Sequence, residues 1–108
     1  MRRRTKRSVL EKRGHPRAVV EADLVCKRQD GTSFRARAKD LSIGGMFVLS
    51  EEVVTFGEEL SILLTPVGTG KSLTLPAVVR WTQELGFGVQ FGLLGARETH
   101  AISGLVRR

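Results

Sequence analysis

A two-residue alternation of apolar and polar side chains begins at Ala18 and recurs, segment after segment, as far as Phe91. No other feature constrains the fold as tightly. Ala18, Val20, Ala22, Leu24 and Cys26 alternate with Val19, Glu21, Asp23, Val25 and Lys27. Successive side chains of a strand point to opposite faces, so this spacing predicts a strand with one mainly apolar face. Gln29-Asp30-Gly31-Thr32 follows, and Asp-Gly suits the tight turn of a hairpin. The return strand runs from Ser33 to Lys39, with Phe34, Ala36 and Ala38 facing in and Ser33, Arg35, Arg37 and Lys39 facing out. A third short strand covers Met46 to Leu49. Glu51 to Gly57 reads as a loop anchored by Val53, Val54 and Phe56. Leu60 to Thr65 is the next strand, and Pro66 to Lys71 is a turn. Ser72 to Thr82 forms a long strand with Leu73, Leu75, Ala77, Val79 and Trp81 on one side. Pro76 lies within it and has no N–H to donate, so an edge or a bulge is expected there. After the turn Gln83 to Gly86, Phe87, Val89 and Phe91 alternate with Gly88, Gln90 and Gly92. The period then lengthens. Leu94, Ala101, Ile102 and Leu105 fit one face of a helix over 96–106, which Gly104 weakens near its end.

Six short strands followed by one helix point to a mainly β fold, a six-stranded antiparallel β-barrel with a C-terminal α-helix over an open end or edge. A chain of 108 residues suits one domain with one core. No apolar run approaches the roughly 20 residues of a membrane span, and no apolar stretch follows the basic first residues as a secretory signal would require. No membrane insertion and a cytoplasmic location are therefore expected. A single cysteine, Cys26, permits neither an intramolecular disulfide nor a cysteine-based metal cluster.

The net charge of +7 is unevenly placed. Residues 1–17 hold eight basic residues and one acid, Glu11, while the basic and acidic residues of the remainder cancel. The expected organisation is a flexible basic N-terminal arm, 1–11, ahead of a domain spanning 12–108. Such an arm is built to meet an anion, a nucleic acid among them, unless it is simply a solvated tail.

Two clusters carry the candidate binding chemistry. Asp40-Leu41-Ser42-Ile43-Gly44-Gly45 places a carboxylate and a hydroxyl two residues apart, on the same side if this stretch is extended. Gly44 and Gly45 remove side chains where a partner could approach the backbone. A ligand rich in N–H donors would suit this surface. The competing reading is a turn, with Asp40 and Ser42 making local backbone bonds and glycine taking positive φ. Arg13-Gly14-His15-Pro16-Arg17 sets two arginines four apart on a bend. Two guanidiniums there can clamp phosphates, pair with O6 and N7 of guanine, or stack on its face. Other motifs fail. Gly70-Lys71-Ser72 resembles the end of a P-loop, but Thr65 stands where its first glycine belongs and a strand follows it. Gly86-Phe87-Gly88 lacks the third glycine of a dinucleotide fingerprint. His15 and His100 are far apart in sequence, and no spacing suggests a metal site. The pattern favours binding over catalysis, with no enzyme activity and no cofactor.

Arg13-x-x-x-Arg17, followed by Asp40-x-Ser42-x-x-Gly45, resembles the PilZ domain of bacterial cyclic di-GMP receptors. The closing segments Val78-Val79-Arg80-Trp81 and Gly86-Phe87-Gly88-Val89-Gln90-Phe91 are similar as well. The resemblance spans roughly Lys12 to Val106 and implies a six-stranded barrel with a C-terminal helix. It implies that Arg13 and Arg17 grip the phosphates and guanines of cyclic di-GMP. It implies that Asp40 and Ser42 read guanine edges, and that Gly45 permits close approach. Lys12 stands where members often carry a basic residue, and this third cation favours two stacked ligands per chain. The expected function is a cyclic di-GMP receptor or adaptor that moves its arm on binding. It would signal to an unidentified protein partner in motility, pilus or biofilm control, as a monomer or weak dimer. The alternatives are a ligand-independent PilZ-fold adaptor for type IV pilus or motility machinery, and a nucleic-acid-binding module that uses the basic arm. Against the latter, an aromatic stacking face is not evident, because the aromatic residues mostly fall on core faces of the alternation.

Overall fold

The computed structural model describes residues 17–68 and 70–106. The arm expected over 1–11, together with Lys12 and Arg13, lies outside the described residues. The alternating segments form seven strands: β1 (Ala18–Val19), β2 (Ala22–Arg28), β3 (Ser33–Leu41), β4 (Gly45–Leu49), β5 (Glu59–Pro66), β6 (Leu73–Gln83) and β7 (Gly86–Phe91). The helix α1 spans Ala96–Val106. All strand pairings are antiparallel. β2, β3, β4, β7, β6 and β5 close on one another as a six-stranded barrel, with β1 as an extra short strand on β3. The one long strand expected from Ala18 to Lys27 is thus interrupted at Val20 and Glu21. Between Asp23↔Arg37 and Val19↔Asp40 its register against β3 slips by one residue.

The inward side chains of the alternation form the core. Leu24, Cys26, Leu41, Met46, Val48, Ile62, Leu64, Leu75, Val79, Phe87 and Val89 are almost completely excluded from solvent. Helix α1 packs against β1 and β6 and sends Ile102 into this core, with Leu94 and Leu105 half-buried beside it. The β2–β3 hairpin turns at Gly31, whose φ of 92° favours glycine. Asp30 braces the turn by accepting from both the amide and the hydroxyl of Thr32, at 2.9 and 2.7 Å. These bonds hold its carboxyl below the usual carboxylate range.

Two expectations need correction, the inward Trp81 and the loop anchors, while Pro76 takes the edge alternative. Trp81 does not face the core. The register of β6 against β7 shifts between Val79 and Trp81, so Arg80 is an extra residue and the parity reverses after it. Trp81 is 42% exposed on the outer face. The bulge of β6 is therefore at Arg80, whereas Pro76 stands at the end of the β6–β7 ladder. Its carbonyl accepts from Gly92 N at 2.8 Å, and its missing donor falls where β7 has ended. In the β4–β5 loop only Val54 packs against the core, with Val53 83% and Phe56 67% exposed. That loop is held instead by Arg28, whose Nη2 donates to the Val53 carbonyl at 2.6 Å and whose guanidinium lies near Glu52 and Glu58.

Candidate functional site

By strict alternation Asp40 would follow Phe34, Ala36 and Ala38 into the core. A bulge prevents this. The register of β3 against β4 shifts between Ala38 and Asp40, leaving Lys39 as the extra residue. Leu41 takes the inward position and is fully buried, and Asp40 is left outside. Its Oδ1 accepts from Phe47 N of the neighbouring strand at 3.2 Å, which fixes the carboxylate over the β3–β4 pair.

Ser42 opens the β3–β4 hairpin. Its N–H donates to Gly45 O at 2.9 Å across the intervening Ile43 and Gly44. Its hydroxyl accepts from Gly44 N and Gly45 N, both at 3.2 Å, and lies 3.3 Å from Gly45 O as a donor. Ser42 is the one buried polar residue among those described, 4% exposed, and these local bonds satisfy it. The turn reading is thus realised in its hydrogen bonds but not in its glycines: the positive-φ glycines are Gly31, Gly57, Gly68 and Gly70. Gly45 is required for a different reason. A Cβ there would collide with the carbonyl oxygen of Val89, so the close approach it permits is that of β7.

Arg17 joins the two halves of the candidate site. It lies just before β1, which pairs with the far end of β3. Its Nε is 3.5 Å from Asp40 Oδ1, and its Nη1 donates to Ser42 Oγ at 3.3 Å. Residues 23 and 25 positions apart in the chain therefore converge on one guanidinium. The Arg17 side chain is 39% and the Asp40 side chain 27% exposed, so the cluster faces solvent. In chemical terms it offers carboxylate acceptors, a hydroxyl, and the guanidinium donors not engaged by them.

The outer surface next to Asp40 holds aromatic residues that the alternation hides. Asp40 pairs with Phe47, Phe47 with Gly88, and Gly88 with Trp81, so a single row crosses β3, β4, β7 and β6. Phe47 and Trp81 stack with centroids 6.4 Å apart, and Lys39 Nζ lies 5.7 Å from the Phe47 centroid. The Trp81 ring lies where a Cβ on residue 88 would be, so glycine makes room for it. Counted back from the Gln83↔Gly86 turn, Trp81 falls opposite Gly88, and a glycine at that position is the sequence signal for the outward ring.

The sequence matches the PilZ domain family over residues 2–108. No curated protein matches it at a comparable level of significance. Among solved structures the chain is similar to the PilZ domain of Escherichia coli YcgR with c-di-GMP, at 16% identity and a TM-score of 0.73, covering 86% of this chain and 87% of that one. It is similar to the PilZ domain of CeSA from a cellulose-synthesizing bacterium, at 18% identity and a TM-score of 0.66, covering 84% and 94%. It also resembles the K. pneumonia MrkH–c-di-GMP complex, at 18% identity and a TM-score of 0.68, covering 83% of this chain but only 48% of that one. At these identities the likeness is one of fold. The barrel, its terminal helix and the family match agree, and the chain belongs to the PilZ domain family.

Proposed function

We propose that this protein is a cyclic di-GMP receptor without enzyme activity, acting in the cytoplasm. The observation that carries the reading is the convergence of Arg17, Asp40 and Ser42, at 3.5 and 3.3 Å, on the outer surface of the barrel. Asp40 accepts from the N–H donors of a guanine, Arg17 donates to its acceptors or to a phosphate, and Ser42 holds the turn that positions both. Lys12, Arg13, Gly44 and Gly45 complete the ligand-binding set. Solved relatives in fold, YcgR and MrkH, have c-di-GMP bound, which supports the same ligand class here. Binding repositions the N-terminal arm, and the new surface signals to a protein partner in motility, pilus or biofilm control.

Isothermal titration of the full chain with cyclic di-GMP tests this reading. The expected result is saturable binding with an end point of two ligands per chain, since Lys12 adds a third cation to the two arginines. An end point of one removes the stacked-pair assignment, and no binding at ligand concentrations of about 100 μM, roughly −5.5 kcal/mol, overturns the reading. Slower trypsin cleavage at Lys12, Arg13 and Arg17 on saturation is the expected sign of the arm's response. Unchanged rates would place the response elsewhere. A second reading, a ligand-independent adaptor, is favoured by one observation: Asp40 and Ser42 already engage Arg17 within the chain. The same titration separates the two.

A further inference from the structure

Two one-residue bulges interrupt the barrel strands, at Lys39 in β3 and at Arg80 in β6. Both stand on the cross-strand row that runs from Asp40 through Phe47 and Gly88 to Trp81. At a bulge two residues oppose one, so two successive side chains can share a face. The outer surface therefore carries Lys39 and Asp40 at one side and Arg80 and Trp81 at the other. Between them lie β4 and β7, whose outward positions at this level are Gly45, Phe47, Gly88 and Gln90. Along the curved surface of the closed barrel β3 and β6 are three strand spacings apart, on the order of 14 Å. The Phe47–Trp81 stack already spans β4 to β6 on that path, and a ligand that touches both ends must lie along it.

Arg80 is held in place at its inner nitrogen. Its Nε donates to Gln90 Oε1 at 2.9 Å. Gln90 in turn pairs across the β4–β7 ladder with Gly45, whose carbonyl accepts from Ser42. Among the described residues, no carboxylate lies within ion-pair distance of Arg80, and its Nη1 and Nη2 are bonded to none of them. An anchored guanidinium whose terminal nitrogens are engaged by none of the described residues presents two parallel donors. Such a fork fits an acceptor pair, either two phosphate oxygens or O6 and N7 of guanine.

We propose that Arg80 is a further ligand-binding residue, forming the wall of the site opposite Arg17. The assignment rests on the cyclic di-GMP reading above. Asp40 and Arg17 engage one end of the ligand, and Arg80 engages an acceptor pair toward the other. Gln90 is a positioning residue that fixes the plane of the Arg80 fork.

Calorimetric titration of the full chain with cyclic di-GMP, for wild type, Arg80→Ala, Gln90→Ala and Arg35→Ala, tests it. Arg35 is an exposed arginine of β3 away from the row, so Arg35→Ala measures the loss of one positive charge alone. Arg80→Ala is expected to weaken binding by about tenfold or more, Gln90→Ala by less, and Arg35→Ala by no more than about twofold. Arg80 is exposed, and matching thermal melts check that each variant is folded. Repeating the titrations over a range of salt separates the two acceptor pairs. If Arg80 meets a phosphate, Arg80→Ala also flattens the salt dependence. If it meets a guanine edge, affinity falls while the salt dependence is unchanged. Wild-type binding with Arg80→Ala within about twofold of it overturns the Arg80 assignment and leaves the receptor reading standing. No binding by wild type overturns both.

Discussion

Ser42 and Arg17 meet at one hydrogen bond, yet their removal should affect different properties. Consider Ser42→Ala. The hydroxyl accepts from the amides of Gly44 and Gly45, and donates to the carbonyl of Gly45. Alanine leaves both amides without that acceptor. Gly44 is half-buried, so water can reach its N–H, whereas Gly45 is buried. One unsatisfied buried donor costs about 1–3 kcal/mol, and bonds of 3.2 Å belong in the lower half of that range. A loss of about 1–2 kcal/mol in a domain of this size lowers Tm by roughly 4–8 °C. Arg17→Ala removes a partly exposed ion pair and one long hydrogen bond, worth no more than about 1 kcal/mol of stability. Its effect on affinity should be larger, about 2 kcal/mol or thirtyfold for cyclic di-GMP, because charge-assisted bonds to the ligand are lost. Thermal melts by circular dichroism, paired with calorimetric titrations, measure both quantities. If Ser42→Ala melts within about 1 °C of wild type, the hydroxyl does not organise the turn. If Arg17→Ala loses stability and keeps its affinity, the convergence of the three residues serves the fold and not a ligand.

The remaining predictions use other features of the site and core. Asp40→Ala should weaken cyclic di-GMP more than cyclic di-AMP, since adenine has no N1–H or 2-amino donor for the carboxylate, and equal losses in titration would make Asp40 a turn residue. Gly45→Ala should be strongly destabilising, because its Cβ meets the backbone carbonyl of Val89. At Gly88 the nearest atoms that a Cβ would meet belong to the Trp81 ring and not to backbone, so Gly88→Ala should chiefly red-shift indole fluorescence, and equal losses in denaturant melts would contradict this contrast. Burial pushes the Cys26 thiol from its ordinary 9.0 up to about 12, with Arg28 opposing. Its folded pKa exceeds the unfolded one, so this stability is complete below about pH 9 and is lost as pH rises toward 12. Urea midpoints should therefore fall more steeply over that window for wild type than for Cys26→Ala, and parallel slopes would count against the buried thiol.

Strand positions were legible because each carries its own alternation. The helix over 96–106 was legible because the period changes after Gly95, and the structure places α1 over the same residues. The proximity of Asp40 to Ser42 followed from their spacing. What spacing cannot supply is the identity of their partners. Ser42 is buried in bonds to its own turn, and Arg17 reaches it from 25 residues away. Val53 and Phe56 illustrate the opposite failure. An apolar side chain in a loop reads as an anchor, but Arg28 already holds the Val53 carbonyl, and that backbone bond leaves the side chains free to face water.

The outward placement of Trp81 and that of Asp40 share one physical cause. A strand of period two specifies its faces only while no residue is inserted, and one extra residue turns every later side chain over. The bulges at Lys39 and Arg80 each do this, and neither carries a glycine or proline to announce it. After Lys39, Leu41 replaces residue 40 as the inward side chain, so a carboxylate that would otherwise be buried without a counter-ion comes to the surface beside Arg17. Burying it unpaired would cost several kcal/mol, which is sufficient reason for the bulge form of β3 to win over the regular one. After Arg80, Trp81 leaves the core and covers Phe47 from outside. The same two insertions that defeat the parity count bring Asp40 and Trp81 onto one row of the outer surface. There the regular alternation would have left the row without either.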